Sequence, residues 1–350
     1  MSMLSVAEAD VKGKKVLVRV DFNVELDDVA HIQEGFRLEA VKPTLAKLVE
    51  GGASQIALLS HYGRPEGKDD SRYSLSRLTQ EVARVLEREI EFVGDCVGEK
   101  VVSALENNAS GKILLLENVR FYPGEEANDF EFAKALAQPF DLFVNEAFSC
   151  SHRAHASIVG LPQVLPGFAG LRLLEEITHL DALQSNPARP AIAIIGGAKI
   201  ETKLPLIRAM EKHYDCVLVG GKVANEALDQ KIEFSEKVLL PQDFDSEKRL
   251  DIGPKTAAYY AEIIKRGKTV VWNGPMGKFE EKPYDFGTNM VLTAILESNA
   301  FVVIGGGESL AVIEQAGVFN KIGFVSSGGG AMLEYLSGKT LPGLQALNRA

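Results

Sequence analysis

The sequence predicts an α/β protein built from two doubly wound, parallel, Rossmann-like sheets. Short apolar runs alternate with longer amphipathic stretches along all 350 residues, which is the pattern of strands connected by helices. The runs are rich in Val and Ile and apolar on both faces, as expected for buried parallel strands. They are too numerous for one compact twisted sheet, so we expect two sheets.

The individual elements follow from these patterns. Runs of Val, Ile and Leu bounded by turn residues predict strands at 15–20, 55–60, 90–93, 113–116 and 142–144, and then at 191–195, 216–219, 238–240, 269–272, 300–304 and 323–325. Apolar residues at helical spacing predict helices at 37–50, 76–87, 129–137, 171–183, 203–212, 255–266 and 287–297. The joint between the sheets is expected at about residues 166–190, because the helical stretch there runs into Pro187 and Pro190.

Composition and charge exclude several classes of protein. Lys and Arg number 38 and Asp and Glu number 48, which gives a formal net charge of −10, and an acidic chain is a poor candidate for non-specific nucleic-acid binding. No apolar run approaches the ~18 residues that span a bilayer, and we expect no signal peptide. The cysteines Cys96, Cys150 and Cys216 are far apart, so we expect reduced thiols and a cytoplasmic location.

Glycine follows nearly every predicted strand of the second half. The glycine turns lie at 196–197, 220–221, 274–277, 305–307 and 328–330. In open α/β sheets ligands bind at the carboxyl ends of the strands, where glycine lets a phosphate approach backbone N–H groups at a helix N-terminus. Neither a GxxxxGK[ST] loop nor a GxGxxG fingerprint after the first strand of either half is present. The turns therefore predict a site for an extended, phosphate-bearing ligand.

Basic and polar side chains follow the predicted strands of the first half. Because arginine binds carboxylate and phosphate through paired hydrogen bonds, we expect several of them to converge on a small polyanion. Each also fits an ordinary role, such as a surface ion pair, a turn residue or a structural histidine. His152 and His155 fit no metal spacing, so no zinc site is expected. The side chains are Arg19, Asp21, Asn23, His61, Arg64, Arg120, His152, Arg153 and His155.

The sequence also resembles the phosphoglycerate kinase family over nearly its whole length. The matching segments in the first half are VRVDFNV at 18–24, SHYGRP at 60–65, LLLENVRF at 114–121 and HRAHAS at 152–157. In the second half they are GGAK at 196–199, DIGPKT at 251–256, VWNGPMG at 271–277, IGGG at 304–307 and SGGGA at 327–331.

The resemblance implies a two-lobed glycolytic enzyme that reversibly transfers a phosphoryl group between ATP and 3-phosphoglycerate, with Mg²⁺ bound to ATP or ADP. It implies a 3-phosphoglycerate-binding lobe at 1–170, a hinge helix at 171–186, a nucleotide-binding lobe at 187–335 and a C-terminal tail at 336–350 that returns to the first lobe. It further implies a monomer that acts on small molecules and binds neither nucleic acid nor membrane.

The resemblance also implies a role for individual residues, carried over by motif. The substrate-binding residues would be Asp21, Phe22, Asn23, Arg37, His61, Tyr62, Gly63, Arg64, Arg120 and Arg153. The catalytic residues would be Arg37, Lys199 and Lys203. The nucleotide-binding residues would be Gly197, Ala198, Lys203, Gly221, Asn273, Pro275, Glu280, Gly306, Gly307, Glu308 and Ser309, with Glu308 also serving magnesium through the nucleotide.

Several positions depart from the family pattern. Glu308 and Ser309 stand where Asp and Thr are usual, Lys278 where an apolar residue is usual and Arg249 where glycine is usual. Lys278 and Arg249 either extend into solvent or change the base preference of the adenine pocket. The segment 222–250 is also shorter than usual. Two alternatives follow: a related acyl-phosphate kinase with another nucleotide preference, and a nucleotide-binding regulatory protein with weakened catalysis. The missing dinucleotide fingerprint disfavours a sugar-phosphate dehydrogenase.

Overall fold

The chain divides into two units, each with its own sheet. The computed structural model describes residues 3–24, 35–66, 70–108 and 111–348. Unit 1 comprises Met1–Glu176 and Thr340–Ala350, and unit 2 comprises Ile177–Lys339. Each unit contains one six-stranded sheet in which all strand pairs are parallel. The predicted fold class, α/β with two parallel sheets, is confirmed.

Unit 1 is built around a sheet with the strand order β3-β4-β2-β1-β5-β6. Apolar side chains from both faces of its central strands are buried, which explains their continuous apolar sequences. The strands are β1 (Lys15–Arg19), β2 (Gln55–Leu59), β3 (Ile90–Val93), β4 (Ile113–Leu116), β5 (Leu142–Asn145) and β6 (Gly167–Ala169). The helices are α1 (Phe36–Glu39), α2 (Lys42–Glu50), α3 (Thr79–Leu86), α4 (Glu99–Asn107), α5 (Pro123–Glu126), α6 (Phe130–Ala137) and α7 (Leu171–Ser185), and α7 contains the boundary between the units.

Unit 2 repeats this architecture with the strand order β12-β11-β10-β7-β8-β9. Its strands are β7 (Ala191–Ile195), β8 (Cys216–Val219), β9 (Val238–Leu239), β10 (Thr269–Asn273), β11 (Phe301–Gly305) and β12 (Phe324–Ser326). Its helices are α8 (Ile200–His213), α9 (Gly221–Asp229), α10 (Pro254–Arg266), α11 (Phe286–Glu297), α12 (Gly307–Gln315) and α13 (Gly329–Leu336), and α14 (Pro342–Leu347) lies in unit 1. Because the strands are parallel, the loops after them meet at one edge of each sheet.

The structure adds elements to those predicted and changes the bounds of others. Six of the helices given above have no counterpart among the predicted helix ranges: α4, α5, α9, α12, α13 and α14. Strand β6 was not predicted, because its three residues are too few for an apolar run to be recognised. The predicted helix 37–50 is two helices, since the chain turns at Ala40 and Val41 and Pro43 lies in the first turn of the second helix. Helix α8 begins at Ile200, before the predicted residue 203, and contains Pro205. Within the described residues, no helix combines the length and apolar content needed to cross a bilayer.

Candidate functional site

Asp21 is the centre of a buried polar cluster at the carboxyl ends of β1, β2 and β5. Its Oδ2 accepts a hydrogen bond from Arg37 Nη1 at 3.1 Å, and its Oδ1 lies 3.7 Å from His61 Nδ1. The Ser149 hydroxyl also donates to Asp21. Burial acts to raise the pKa of Asp21, whereas His61, Arg37 and Ser149 act to lower it, and the net result is a pKa of about 2. Asp21 is therefore ionised at neutral pH.

His61, next to Asp21, is a neutral imidazole at neutral pH. Burial lowers the pKa of His61 well below its ordinary value, and although Asp21 opposes this, the charges of Arg19, Arg120 and Arg153 lower it further. Arg19 Nη2 lies 3.3 Å from His61 Nδ1. Because these arginines disfavour another positive charge on the ring, the cluster is best completed by an anion.

Asn118 shapes the loop after β2, although the sequence analysis did not identify it as a site residue. Its Nδ2 donates to Tyr62 O at 2.7 Å and to Tyr73 O at 2.9 Å, and its Oδ1 accepts from Tyr62 N at 3.2 Å. In the same loop Gly63 has φ +58°, and a Cβ there would lie 2.2 Å from the Tyr73 ring. Gly63 N donates to Asn23 Oδ1 at 2.7 Å. The loop thus connects the segments that follow β1, β2 and β4.

The predicted arginines do not all occupy equivalent places. Arg120 Nη1 donates to Gly63 O at 2.7 Å, and burial together with the nearby charge of Arg153 lowers the pKa of Arg120. Arg37, Arg120 and Arg153 therefore belong to the cluster around Asp21. Arg64 lies on the loop after β2 with an exposed side chain. Of the remaining predicted residues, the Phe22 side chain lies in the core of unit 1, Tyr62 packs against that core and His155 Nδ1 lies 3.6 Å from Glu125 Oε1.

Arg19 is a fully buried arginine inside the sheet, and it supports His61. Its Nε donates to Ser157 Oγ at 2.8 Å, and Ser157 Oγ donates to Glu125 Oε1 at 2.6 Å. A chain of polar contacts therefore runs from Glu125 through Ser157 and Arg19 to His61. The sequence signal for this network is the charged residue at the end of an otherwise apolar strand.

Asp21, His61 and Cys150 place one possible metal-ligand atom each within 4.8 Å of one another. Burial and the charge of Asp21 raise the pKa of Cys150, so its thiol is protonated at neutral pH. Arg37 already contacts Asp21, and Arg19 lies beside His61. Because the surroundings are cationic, we assign no metal to this cluster.

In unit 2 the loops after β7, β8 and β10 approach one another through their backbones. Gly196 N donates to Asn273 O at 2.9 Å, and Gly197 N donates to Pro275 O at 3.0 Å. Gly221 has φ +62°, and a Cβ there would lie 2.9 Å from Pro275 O. Side chains at these positions would separate the loops, so glycine is required for the close approach.

A cavity of about 220 Å³ lies at the N-termini of α12 and α13 and includes Gly306, Gly307 and Lys203 in its lining. Lys203 Nζ donates to Asn273 Oδ1. Burial lowers the pKa of Lys203 to about 8, although the charge of Glu308 acts to raise it. A lysine beside the N-termini of two helices attracts an anion. We call this space the smaller cavity.

A second cavity in unit 2, of about 540 Å³, is lined by Gly197, Ala198, Pro275, Glu280 and Glu308, together with charged residues of α9 and the 248–250 segment. We call it the larger cavity; Glu308 lines both. Of the other predicted nucleotide-binding residues, Ser309 accepts a hydrogen bond at its Oγ from Gly274 N at 2.7 Å, and Gly221 is the first residue of α9. Lys199 lies just before α8 with an exposed side chain, and it lines neither cavity.

Comparison with known proteins gives one consistent result. A family model described as phosphoglycerate kinase matches residues 6–243 and 227–339. The phosphoglycerate kinase of Desulfosudis oleivorans is 38% identical over 393 aligned positions, covering 99% of this chain and 99% of that protein, and that of Solibacter usitatus is 39% identical over 394 positions, covering 100% of both. The crystal structure of phosphoglycerate kinase from Pyrococcus horikoshii OT3 matches with a TM-score of 0.87 at 31% identity, covering 99% of this chain and 98% of that one.

Proposed function

The chain belongs to the phosphoglycerate kinase family, and on that premise we propose that it reversibly transfers a phosphoryl group between ATP and the carboxylate of 3-phosphoglycerate, a step of glycolysis. The observation that carries this proposal is the complementary chemistry of the two units. Unit 1 gathers arginines around an ionised Asp21 and a neutral His61. Unit 2 places Lys203 and glycine backbone around the smaller cavity.

In unit 1 we assign 3-phosphoglycerate to the cluster around Asp21. Asp21 and Asn23 offer oxygen atoms that accept a hydrogen bond from the glycerate hydroxyl. Arg120 and Arg153, with Arg64 on the neighbouring loop, supply guanidinium groups for the 3-phosphate. Because His61 is neutral, its ring can form a hydrogen bond without bringing a further positive charge.

In unit 2 we assign the nucleotide phosphates to the smaller cavity and the nucleoside to the larger one. The smaller cavity offers the N-terminus of α12, at Gly306 and Gly307, and the amine of Lys203. The larger cavity has room for a sugar and a base, with Pro275 and Ala198 as apolar lining and Glu280 as an acceptor for a ribose hydroxyl.

Mg²⁺ fits the residues that line the smaller cavity. Glu308 supplies a carboxylate in the first turn of α12, and Mg²⁺ is usually held by one or two carboxylates together with phosphate oxygens and water. Bound Mg²⁺ would neutralise negative charge on the phosphate oxygens. Ser309 has a different task, because its fully buried hydroxyl receives the hydrogen bond from Gly274 N and thereby joins two loops.

The reaction depends on placing and neutralising charge rather than on proton transfer. The attacking carboxylate is already ionised at neutral pH and needs no general base. We assign Arg37 and Lys203 to the oxygens of the transferring phosphoryl group, where charge is spread in the transition state. We propose Lys199, whose side chain is exposed, as a further contact with the nucleotide phosphates.

We also propose that the first unit binds 3-phosphoglycerate, the second binds nucleotide and α7 serves as the hinge helix. The boundary between the units within α7 supports that role. A monomeric, cytoplasmic enzyme is the simplest form of this proposal. Among the described residues, Cys96, Cys150 and Cys216 form no disulfide, which agrees with a reducing compartment. Size-exclusion chromatography with light scattering would test the monomer.

A coupled assay with 3-phosphoglycerate, Mg²⁺ and ATP tests the function. We expect turnover in the parent protein and a loss of about 10²–10³-fold in kcat for Arg37→Ala and for Lys203→Ala. Arg208→Met, which changes an exposed arginine of α8 paired with Glu211, is the matched control and should keep parent activity. Near-parent turnover in both site variants would contradict the assigned roles. Nucleotide binding without turnover in the parent protein would favour the regulatory alternative.

A further inference from the structure

The wall of the larger cavity contains an arginine in an unusual backbone conformation. Arg249 has φ +51°, in the left-handed region that non-glycine residues rarely adopt. Two hydrogen bonds hold its backbone there: Arg249 N donates to Ser246 O at 3.0 Å, and Arg249 O accepts from Asn225 Nδ2 at 2.8 Å. A residue that its neighbours hold in this region, in the wall of a cavity, motivates a hypothesis about function.

The side chain of Arg249 forms an ion pair with Asp229, and both residues line the larger cavity. Arg249 Nη2 donates to Asp229 Oδ2 at 2.7 Å, and the guanidinium lies 5.8 Å from the centre of the Phe244 ring. Among the residues that the structure describes, Asp229 is the one acceptor of this guanidinium. Because Nη2 carries two hydrogens and Asp229 takes one of them, one two-donor edge of the guanidinium remains available to a ligand.

The base of a bound nucleotide belongs beside this ion pair. The smaller cavity suits the phosphates, and Glu308 lies in the walls of both cavities, so a nucleotide extends from one into the other. Ala198, Leu250 and Pro275 give the larger cavity apolar surface that a flat ring can contact. The polar groups that such a base meets include Arg249 and Asp229.

We propose that Arg249 and Asp229 recognise a guanine base, so that GTP and GDP serve as substrates beside ATP and ADP and bind more tightly. This inference rests on the function proposed above. Guanine presents two neighbouring acceptors, O6 and N7, to a guanidinium fork, and two neighbouring donors, N1–H and N2–H, to a carboxylate. Adenine presents a single amino group beside a ring nitrogen, so it satisfies one atom of each partner and leaves the other unmatched.

Ion pairs also flank the larger cavity. Lys222 pairs with Glu226 at 3.6 Å, and Lys278 pairs with Glu281, so polar groups flank the cavity. A site built to form hydrogen bonds discriminates against a ligand that leaves its polar groups unpaired. We expect GDP to bind about tenfold more tightly than ADP, which is the discrimination typical of one bidentate contact with a base.

Isothermal titration with GDP and with ADP, in the presence of Mg²⁺, tests this inference without 3-phosphoglycerate. Because both nucleotides share ribose and phosphates, the ratio of their dissociation constants isolates the base. We expect Arg249→Met to remove the tenfold preference. Arg249→Lys should also lose most of it, because lysine keeps the charge and lacks the fork. Arg208→Met is the control: Arg208 also pairs with a glutamate and lies over a Phe ring, in a place outside both cavities, and it should keep the parent ratio.

Inosine diphosphate tests the carboxylate separately. Its base keeps O6, N7 and N1–H and lacks the amino group at position 2, so it should bind more weakly than GDP to the parent protein. Asp229→Asn should remove this difference between GDP and inosine diphosphate, since an amide no longer offers two acceptor oxygens. This variant changes an exposed pair on the surface of α9, so we expect it to fold.

Two results would overturn the inference. One is a parent protein that binds ADP as tightly as GDP or more tightly. The other is an Arg249→Met variant that weakens both nucleotides equally. Failure of the proposed function looks different: a protein that prefers GDP in titration and transfers no phosphoryl group would keep the base assignment and lose the enzymatic one. An enzyme that is active with ATP and shows no GDP preference would keep the enzymatic assignment and lose the base assignment.

Discussion

Replacing Glu146 with glutamine is expected to stabilise unit 1 at alkaline pH. Glu146 follows β5, is 6% exposed and lies at the N-terminus of α7. Its Oε1 accepts from the Thr44 hydroxyl at 2.7 Å and from Arg172 N at 3.1 Å, and its Oε2 lies 3.5 Å from Leu173 N. Burial raises the pKa of Glu146 to about 7 even though these donors act to lower it. Glutamine keeps an acceptor oxygen and cannot ionise.

The size and direction of the effect follow from the pKa. The folded chain holds a proton on Glu146 up to a pKa of about 7, whereas the ordinary value is 4.5. The resulting stabilisation is fully present below about pH 4.5 and is lost as the pH rises through 7. At 1.36 kcal/mol per pKa unit, the free energy of unfolding should fall by about 2 to 3 kcal/mol between pH 5 and pH 8 because of this group. Glu146→Gln should remove that fall.

Denaturant unfolding at pH 5 and pH 8, followed by far-ultraviolet circular dichroism, measures the difference. Fluorescence of the sole tryptophan, Trp272, follows unit 2 and serves as an internal control. Glu125→Gln is the matched variant with the opposite sign: burial acts to raise the pKa of Glu125, but contacts with His155, Arg19 and Ser157 lower it, so removing its charge should destabilise unit 1 at pH 7. A Glu146→Gln protein whose stability relative to the parent is the same at both pH values would refute the reasoning.

Three further predictions concern the two candidate sites. Since the pKa of Lys203 is about 8, kcat/KM for the nucleotide should fall above that pH, and Lys203→Arg should flatten the fall in a pH–rate profile. Glu308→Asp should raise the Mg²⁺ concentration for half-maximal rate by about tenfold, because the shorter side chain withdraws its carboxylate, as a magnesium titration would show. Gly63→Ala should lower the free energy of unfolding by about 2 kcal/mol, since φ is positive and the Tyr73 ring occupies the space.

A different result would contradict each of these three predictions. A Lys203→Arg profile that falls at the same pH as the parent would assign the titration to another group. Unchanged magnesium dependence in Glu308→Asp would mean that the length of this side chain is irrelevant to the metal. A Gly63→Ala protein as stable as the parent would mean that the loop relaxes freely; adding Tyr73→Ala to Gly63→Ala should otherwise recover part of the loss.

Local sequence patterns predicted much of the fold. The apolar runs that became β4, β7 and β8 have the bounds predicted for them, because burial of both faces of a parallel strand leaves a continuous apolar sequence. Strand β6 was not predicted because three residues at a sheet edge show no such pattern. The division of 37–50 into two helices was not predicted either, since one amphipathic period runs through both.

Some residues of the candidate sites have a local sequence signal and others do not. Glycine after a strand is a local signal. It predicted a ligand site at Gly197, Gly306 and Gly307, and these residues line the cavities of unit 2. The role of Asn118, which joins loops from distant parts of the chain, has no local signal. Neither does the exposed position of Lys199, which the motif by itself could not distinguish from a position inside a cavity.

The sequence by itself determined the α/β class, the two parallel sheets and the family, since these depend on hydrophobic periodicity and motifs that lie within a few residues of one another. Only the tertiary structure decided the charge states, because a neutral His61, an ionised Asp21 and a lysine with a pKa of about 8 arise from burial and from charges brought close by folding. Desolvation and Coulomb interactions depend on distance in space, and separation along the chain does not report that distance.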